Sequence, residues 1–173
     1  MLLETAVSLI NHPGVAAAEI SNWVDLGCGN GLFTKALASL LKPQSTIYAI
    51  DRAPQVKDGT IQNEIQVITR KSDFVTDSLD LPPLDGILMA NSLHYVKDKP
   101  QFIDRMNGLL KPAGKFIIVE YDTDRPNRWV PYPLKYTALV PVFRMAGYRQ
   151  IEFIHAVPSV YRDADIYGCI ISR

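Results

Sequence analysis

Twelve residues, Trp23-Val-Asp-Leu-Gly-Cys-Gly-Asn-Gly-Leu-Phe-Thr34, constrain this chain more than any others. A short apolar run ends at Leu26, glycines stand at positions 27, 29 and 31, and a helix-forming run, 32–41, follows at once. The pattern predicts a buried parallel strand, a tight turn and the start of a helix. Glycines let a ligand approach the backbone, and a helix N-terminus presents N–H groups that lack internal partners.

The rest of the chain extends this unit. Apolar and β-branched runs predict strands at 23–26, 46–50, 65–69, 87–90, 115–120, 150–156 and 166–172. Helical periodicity predicts helices at 2–10, 32–41, 100–110 and 137–145, with one helical turn at 53–57. Turn chemistry marks Asn11 to Gly14 and Lys111 to Gly114, a long loop spans 121–135, and 15–22 is open. Pro141 fits its helix only if it sits in the first turn, where an N–H is not needed. The last two strands read as a hairpin closed by 158–165.

Strands alternating with helices predict an α/β fold. It is a Rossmann-like, doubly wound, mostly parallel seven-stranded sheet with an antiparallel C-terminal strand and helices on both faces. Ligands of such sheets bind beyond the carboxyl ends of the strands, where the strand order reverses. That rule selects Gly27 to Gly31, Asp51, Asp73 and Asn91 to Tyr95, each of which follows a strand.

At 173 residues the chain suits one domain, 1–173, with a short N-terminal helix and no evident cap insertion, repeat or linker. Eighteen basic side chains balance 18 acidic ones, so no global field gathers nucleic acid or anionic membrane. Cys28 and Cys169 form no metal-ligand cluster and read as reduced, buried thiols. Glu4 stands where a signal peptide is basic, and no run reaches the length of a membrane span. The expected location is cytoplasmic.

The dinucleotide fingerprint is Gly-x-Gly-x-x-Gly, whose third glycine permits close helix–strand packing. Counted from Gly27, that third position is Leu32, so the spacing departs from the redox pattern and disfavours a nicotinamide oxidoreductase.

Five ordered segments instead resemble the class I S-adenosylmethionine-dependent methyltransferases, in particular their small-molecule, quinone-methyltransferase-like branch. They are Val24 to Gly31, Ala49-Ile50-Asp51, Ser72-Asp73-Phe74, Ala90 to Asp98, and Leu109 to Lys115. The resemblance implies S-adenosyl-L-methionine as cofactor, held by Asp25, Gly27, Cys28, Gly29, Gly31, Asp51, Arg52, Asp73, Phe74, Asn91 and Leu93. In that reading Asp51 accepts from both ribose hydroxyls, Asp73 from the adenine amino group, and Asp25 meets the methionine ammonium. Asp77 and Asp80 are rivals for the role of Asp73, and Asn91 and Leu93 offer backbone groups near the sulfonium.

Methyl transfer from a sulfonium gains much of its rate from alignment and needs a base only if the acceptor must lose a proton. His94 is the leading candidate base, packing beside the cofactor pocket being the alternative; Tyr95, Glu120, Tyr132 and His155 are weaker candidates. Asn91-Ser92-Leu93-His94 differs from the Asn/Asp-Pro-Pro-Tyr of methyltransferases acting on DNA bases or protein glutamine. The expected acceptor is therefore a small molecule. Residues 128–136, rich in proline and aromatics, are expected either to wall an apolar acceptor pocket or to cover a sheet edge, and Arg125 and Arg128 either to bind an acidic substrate or to be solvated. With few residues ahead of the first strand, the acceptor site is expected to be open or completed by another subunit, in a monomer or homodimer. A non-catalytic cofactor-binding module is the alternative.

Overall fold

A computed structural model describes residues 1–16, 19–161 and 163–173. Its centre is β1 (Asn22–Leu26), which pairs in parallel with β2 (Thr46–Asp51) on one side and β5 (Leu84–Ala90) on the other. β4 (Ile65–Lys71) continues the sheet beyond β2, and β6 (Leu110–Tyr121) continues it beyond β5, both in parallel. β8 (Asp165–Ser172) runs antiparallel to β6 and forms a hairpin with the edge strand β7 (Gln150–Pro158). The far edge is β3 (Gly59–Ile61), antiparallel to β4, so the order is β3-β4-β2-β1-β5-β6-β8-β7. The chain winds outward from β1 in both directions, and the order reverses between β1 and β5.

Helices α1 (Leu3–Ile10) and α2 (Leu32–Ala38) cover one face, and α3 (Lys99–Asn107) and α4 (Tyr136–Met145) the other. The pleat explains why residues 116–119 of β6 are apolar without interruption. Phe116 and Ile118 pack with Phe102 and Phe143, while Ile117 and Val119 pack with Leu9, Phe33 and Leu37. A strand covered on both faces has no side for solvent. Asp98 caps α3 by accepting the Gln101 N–H, and Pro100 sits in its first turn, where no N–H is required.

The seven strands expected are present, and β3 is an eighth. Its three residues, none of them buried, carry too little pattern to read, and it exists because Asn63 and Glu64 turn the chain back at positive φ. The expected helical turn at 53–57 is an irregular strap: the Gln55 N–H donates to the Gly29 carbonyl at 2.9 Å, which draws the segment across the glycine turn. Lys111 to Gly114 form an irregularity inside β6, across which the partner of Leu84 is Leu110 and that of Gly86 is Lys115. Pro141 lies in the second turn of α4, not the first. It is exposed, as is Thr137, whose carbonyl loses the N–H partner that residue 141 would otherwise supply. In the open stretch 15–22, Val15 is buried against the α1 face, Asn22 begins β1, and residues 17 and 18 lie outside the described residues.

Gly168 in β8 sets the approach of α1, because a Cβ there would stand 1.8 Å from the Leu9 carbonyl oxygen. Gly168→Ala is expected to lower stability by at least about 1–3 kcal/mol, the usual cost of overpacking, since backbone cannot rotate aside. Urea denaturation checks this, and an unchanged midpoint would mean that α1 does not close over β8 at this residue.

Candidate functional site

The glycine turn joins β1 to α2 through hydrogen bonds that leave little for an anion. The N–H groups of Gly27 and Cys28 both donate to the Ile50 carbonyl, at 2.7 and 3.2 Å. The Gly29 N–H donates to Asp51 Oδ2 at 3.0 Å, that of Gly31 to the Cys28 carbonyl at 2.8 Å, and that of Leu32 to Asn30 Oδ1 at 3.2 Å. A phosphate cradle needs such N–H groups unpaired and converging. Here they tie the ends of β1 and β2 together.

The three glycines have three different reasons. A Cβ at Gly27 would meet Ser92 Cβ at 2.5 Å, and one at Gly31 would meet Val56 Cγ2 at 2.6 Å; at Gly29 it would meet nothing within 4 Å. All three have positive φ. Gly27 therefore admits the loop after β5, Gly31 admits the strap after β2, and Gly29 faces open space.

Three adjoining cavities lie along the carboxyl ends of β1, β2, β4 and β5. One of about 200 Å³ is walled by Asp25, Gly27 to Asn30, Phe33 and Asn91. It shares Gly27 and Asn91 with one of about 160 Å³ that holds Asp51, Arg52 and Tyr95. That in turn shares Arg52, Phe74 and Tyr95 with one of about 190 Å³ holding Asp73 and Thr76. Residues drawn from four strand ends thus line one trough, as the switch-point rule requires.

Each carboxylate in the trough has a distinct setting. Asp51 accepts from the Gly29 N–H on Oδ2 and from the Ala53 N–H on Oδ1, at 3.0 and 2.8 Å. Each oxygen keeps acceptor capacity for a further donor, which suits a pair of hydroxyls. Asp73 Oδ1 takes the Val75 N–H at 3.0 Å. Its rival Asp77 lines none of the three cavities; its carboxylate takes the Ser72 hydroxyl and the Asp73 N–H, and these bonds hold it below the usual carboxylate range. Asp80 offers its backbone carbonyl to Arg70. Asp25 is fully buried and accepts from Thr34 Oγ1 at 2.6 Å. Burial raises its pKa to about 7, against the opposing Thr34 bond and with a smaller contribution from the negative Asp51. Cys28 is buried in the same wall, and burial pushes its thiol to about 12, which leaves it protonated near neutral pH.

Gly31 and Leu93 stand apart from the trough. Gly31 packs on Val56, and the Leu93 side chain lies in the core on the α3 face. His94 is 3% exposed and lines none of these cavities. Its Nδ1 lies 2.8 Å from Glu120 Oε2, and its backbone N–H donates to Glu120 Oε1 at 3.0 Å. Tyr95, read from sequence only as a weak base candidate, contributes wall to two of the cavities.

A fourth cavity, about 260 Å³ and largely apolar, adjoins the Asp25 end and shares Leu32, Phe33 and Asn91 with it. Its remaining walls come from the start of α1, Tyr121, and the β7–β8 connection with Val160 and Tyr161. None of residues 128–136 lines this cavity. The Tyr132 N–H donates to the His94 carbonyl, and Lys99 Nζ donates to the Tyr132 carbonyl at 2.8 Å, so the loop is fastened over the 93–95 turn instead. Trp129 is left 70% exposed. Asn91 Oδ1 touches neither solvent nor any hydrogen-bond partner among the described residues, although Asn91 lines three of the four cavities.

Comparison with known proteins agrees with this geometry. An uncharacterized methyltransferase of Mycobacterium tuberculosis is 27% identical over 100 residues, 58% of this chain and 50% of that protein. A ubiquinone biosynthesis O-methyltransferase of Xylella fastidiosa is 31% identical over 100 residues, 55% of this chain and 39% of that protein. The chain thus spans about half or less of the length of these relatives. Among solved structures, the 1,6-didemethyltoxoflavin-N1-methyltransferase of Burkholderia thailandensis, with 1,6-didemethyltoxoflavin and S-adenosylhomocysteine bound, superposes with a TM-score of 0.71 at 18% identity, covering 99% of this chain and 77% of that one. The family model for the methyltransferase domain matches residues 24–116, from β1 into β6 and more than half of the chain. The chain belongs to the methyltransferase domain family.

Proposed function

We propose that this protein is an S-adenosylmethionine-dependent methyltransferase acting on a small-molecule acceptor. The observation that carries the reading is the trough itself. Its polar groups follow the order of the cofactor's parts: Asp73 and Phe74 for adenine, Asp51 and Arg52 for ribose, and Asp25 for the ammonium. The commitment of the glycine-turn N–H groups to Ile50, Asp51, Cys28 and Asn30 argues against a pyrophosphate and so against a nicotinamide dinucleotide. Cys28, Gly29 and Asn91 complete the wall at the methionine end. When bound, the cofactor supplies an electrophilic methyl group on a positively charged sulfur. Transfer forms one bond from acceptor to carbon and breaks one carbon–sulfur bond, whose electron pair stays on sulfur. The protein's part is to hold both partners in line and keep water out.

His94 serves this site as a positioning residue. Both Glu120 oxygens hold the 93–95 turn through its ring and its backbone, and the turn in turn carries Tyr95 into the trough. A base role is the second reading. His94→Asn distinguishes them: a positioning role loses affinity for S-adenosylhomocysteine together with turnover, whereas a base role loses turnover with affinity retained.

Two further outcomes are expected. Asp51→Ala should weaken S-adenosylhomocysteine binding in calorimetry by about 1–3 kcal/mol, the scale for charge-assisted hydrogen bonds. Tight NAD binding with none of the homocysteine product would overturn the proposal. A buried Asp25 titrating near 7 must ionise to meet an ammonium, so binding should release a proton below that pH and strengthen as pH rises through about 7. Linkage in the unliganded protein has the opposite sign. The folded pKa lies above the ordinary carboxyl value of 3.8, so the stability that Asp25 contributes is complete below that value and lost as pH rises through about 7. Titrations in buffers of different ionisation enthalpy measure the released proton; a pH-independent affinity between 5.5 and 8 would remove Asp25 from the ammonium's side.

A further inference from the structure

Arg105, in the last turn of α3, reaches the segment that follows β4 and gathers its backbone carbonyls. Its Nη2 donates to the Phe74 carbonyl and, at 2.9 Å, to that of Val75, and its Nη1 donates to the Asp77 carbonyl at 3.3 Å. The N–H groups of the same segment bond within it. That of Asp73 donates to Asp77 Oδ2 at 2.8 Å, that of Val75 to Asp73 Oδ1 at 3.0 Å, and those of Thr76 and Asp77 to the Asp73 carbonyl at 3.1 and 2.8 Å. A single turn of this kind leaves its last carbonyls without internal partners, and a cation at that end complements them. A guanidinium carries five N–H donors in a planar fork, so one side chain can hold several converging carbonyls. Packing acts in the same direction. Phe102, on the same face of α3, meets the Phe74 ring edge-on with centroids 6.1 Å apart, and the Arg105 guanidinium lies 5.4 Å from the centre of the Phe102 ring. α3 thus grips residues 74–77 by backbone and by ring.

Resting on the methyltransferase reading above, we propose that Arg105 is a positioning residue for the purine end of the cofactor: its fork fixes the 73–77 turn so that the Asp73 carboxylate meets the adenine amino group. Peptide planarity carries the constraint. The Phe74 carbonyl and the Val75 N–H belong to one trans peptide unit and point in opposite directions. Arg105 holds the carbonyl, and the N–H is thereby aimed at Asp73 Oδ1, which sets the direction of the carboxylate. The next peptide repeats the link, with Arg105 on the Val75 carbonyl and the Asp73 carbonyl receiving the Thr76 N–H. One accepted N–H leaves the carboxylate capacity for a further donor. Arg105 lines none of the three trough cavities, so it acts through Asp73 and not by touching the purine. The consequence is a preference for a 6-aminopurine, which offers an N–H to the carboxylate, over a 6-oxopurine, which turns a carbonyl oxygen toward it.

The test is calorimetry on the full chain with S-adenosylhomocysteine and S-inosylhomocysteine, which differ at position 6 of the purine. The wild type is expected to prefer the adenosyl compound by about 10- to 100-fold, the scale of one hydrogen bond to a charged group. Arg105→Met keeps an apolar stem over Phe102 and removes the fork; it should lower that ratio by roughly five- to tenfold, as for residues coupled in one network. A merely structural Arg105 would weaken both ligands alike and leave the ratio unchanged. In an Asp73→Ala background, where the ratio is already lost, Arg105→Met should not alter it further. If circular dichroism shows the methionine variant to be unfolded, Arg105→Lys carries the same test, because an ammonium lacks the fork, and it too should lower the ratio. Absence of S-adenosylhomocysteine binding to the wild-type chain would sink the methyltransferase reading. With that binding intact, any of three results would overturn the role of Arg105: no wild-type preference for the adenosyl compound, a folded Arg105 variant with the wild-type ratio, or an Arg105→Met effect on the ratio that persists without the Asp73 carboxylate.

Discussion

The Ile50 carbonyl and the Asp51 carboxylate, receiving the N–H groups of Gly27, Cys28 and Gly29, are the interaction on which the site depends. They fasten the end of β1 to the end of β2 and turn the chain into α2 at a fixed angle. They also decide the chemistry of the turn. N–H groups that would otherwise gather an anion are already bonded, so the turn works as a rigid wall rather than a phosphate nest. Because the wall is fixed, its glycines can admit two other segments at close range, Ser92 against Gly27 and Val56 beside Gly31.

From that wall the site grades from polar to apolar. Asp51, Asp73 and Asp25 line the trough, and burial and the negative Asp51 raise the Asp25 pKa. Beyond Phe33 and Asn91 no charged side chain lines the cavity wall among the described residues. The Asn91 carboxamide stands at the border between the polar walls and the apolar ones. Glu120 and Lys99 support this border from below: both are buried, Glu120 holds the turn that follows Asn91, and Lys99 fastens the loop that covers it.

Much of the fold was legible because its causes are local. A strand segment buried on both faces is apolar without a break, as 116–119 of β6 are, and an amphipathic helix must repeat every three to four residues, as α1 does. β3 was not legible, since none of its three residues is buried and the hairpin depends on positive φ at Asn63 and Glu64. The strap at 53–57 has a plausible helical composition, and what overrides it is a single long-range bond from Gln55 to Gly29. The rule about missing donors puts Pro141 in a first turn, whereas the structure puts it in the second turn of α4, on an exposed face.

The trough and the apolar cavity divide along the same line. Gly27 to Gly31, Asp51, Asp73 and Asn91 each follow a strand, so topology alone makes them neighbours, and the sequence by itself determined their meeting at the switch point. The apolar cavity joins Met1 and Thr5 of the N-terminal segment to Tyr121 and the β7–β8 connection, pieces that share no motif and meet only because β8 inserts between β6 and β7. Burial of Asp25, the orphaned oxygen of Asn91 and the fastening of the loop by Lys99 were likewise decided by tertiary structure. Solvent exclusion and hydrogen-bond satisfaction are properties of packed surroundings, and no short stretch of sequence contains its own surroundings.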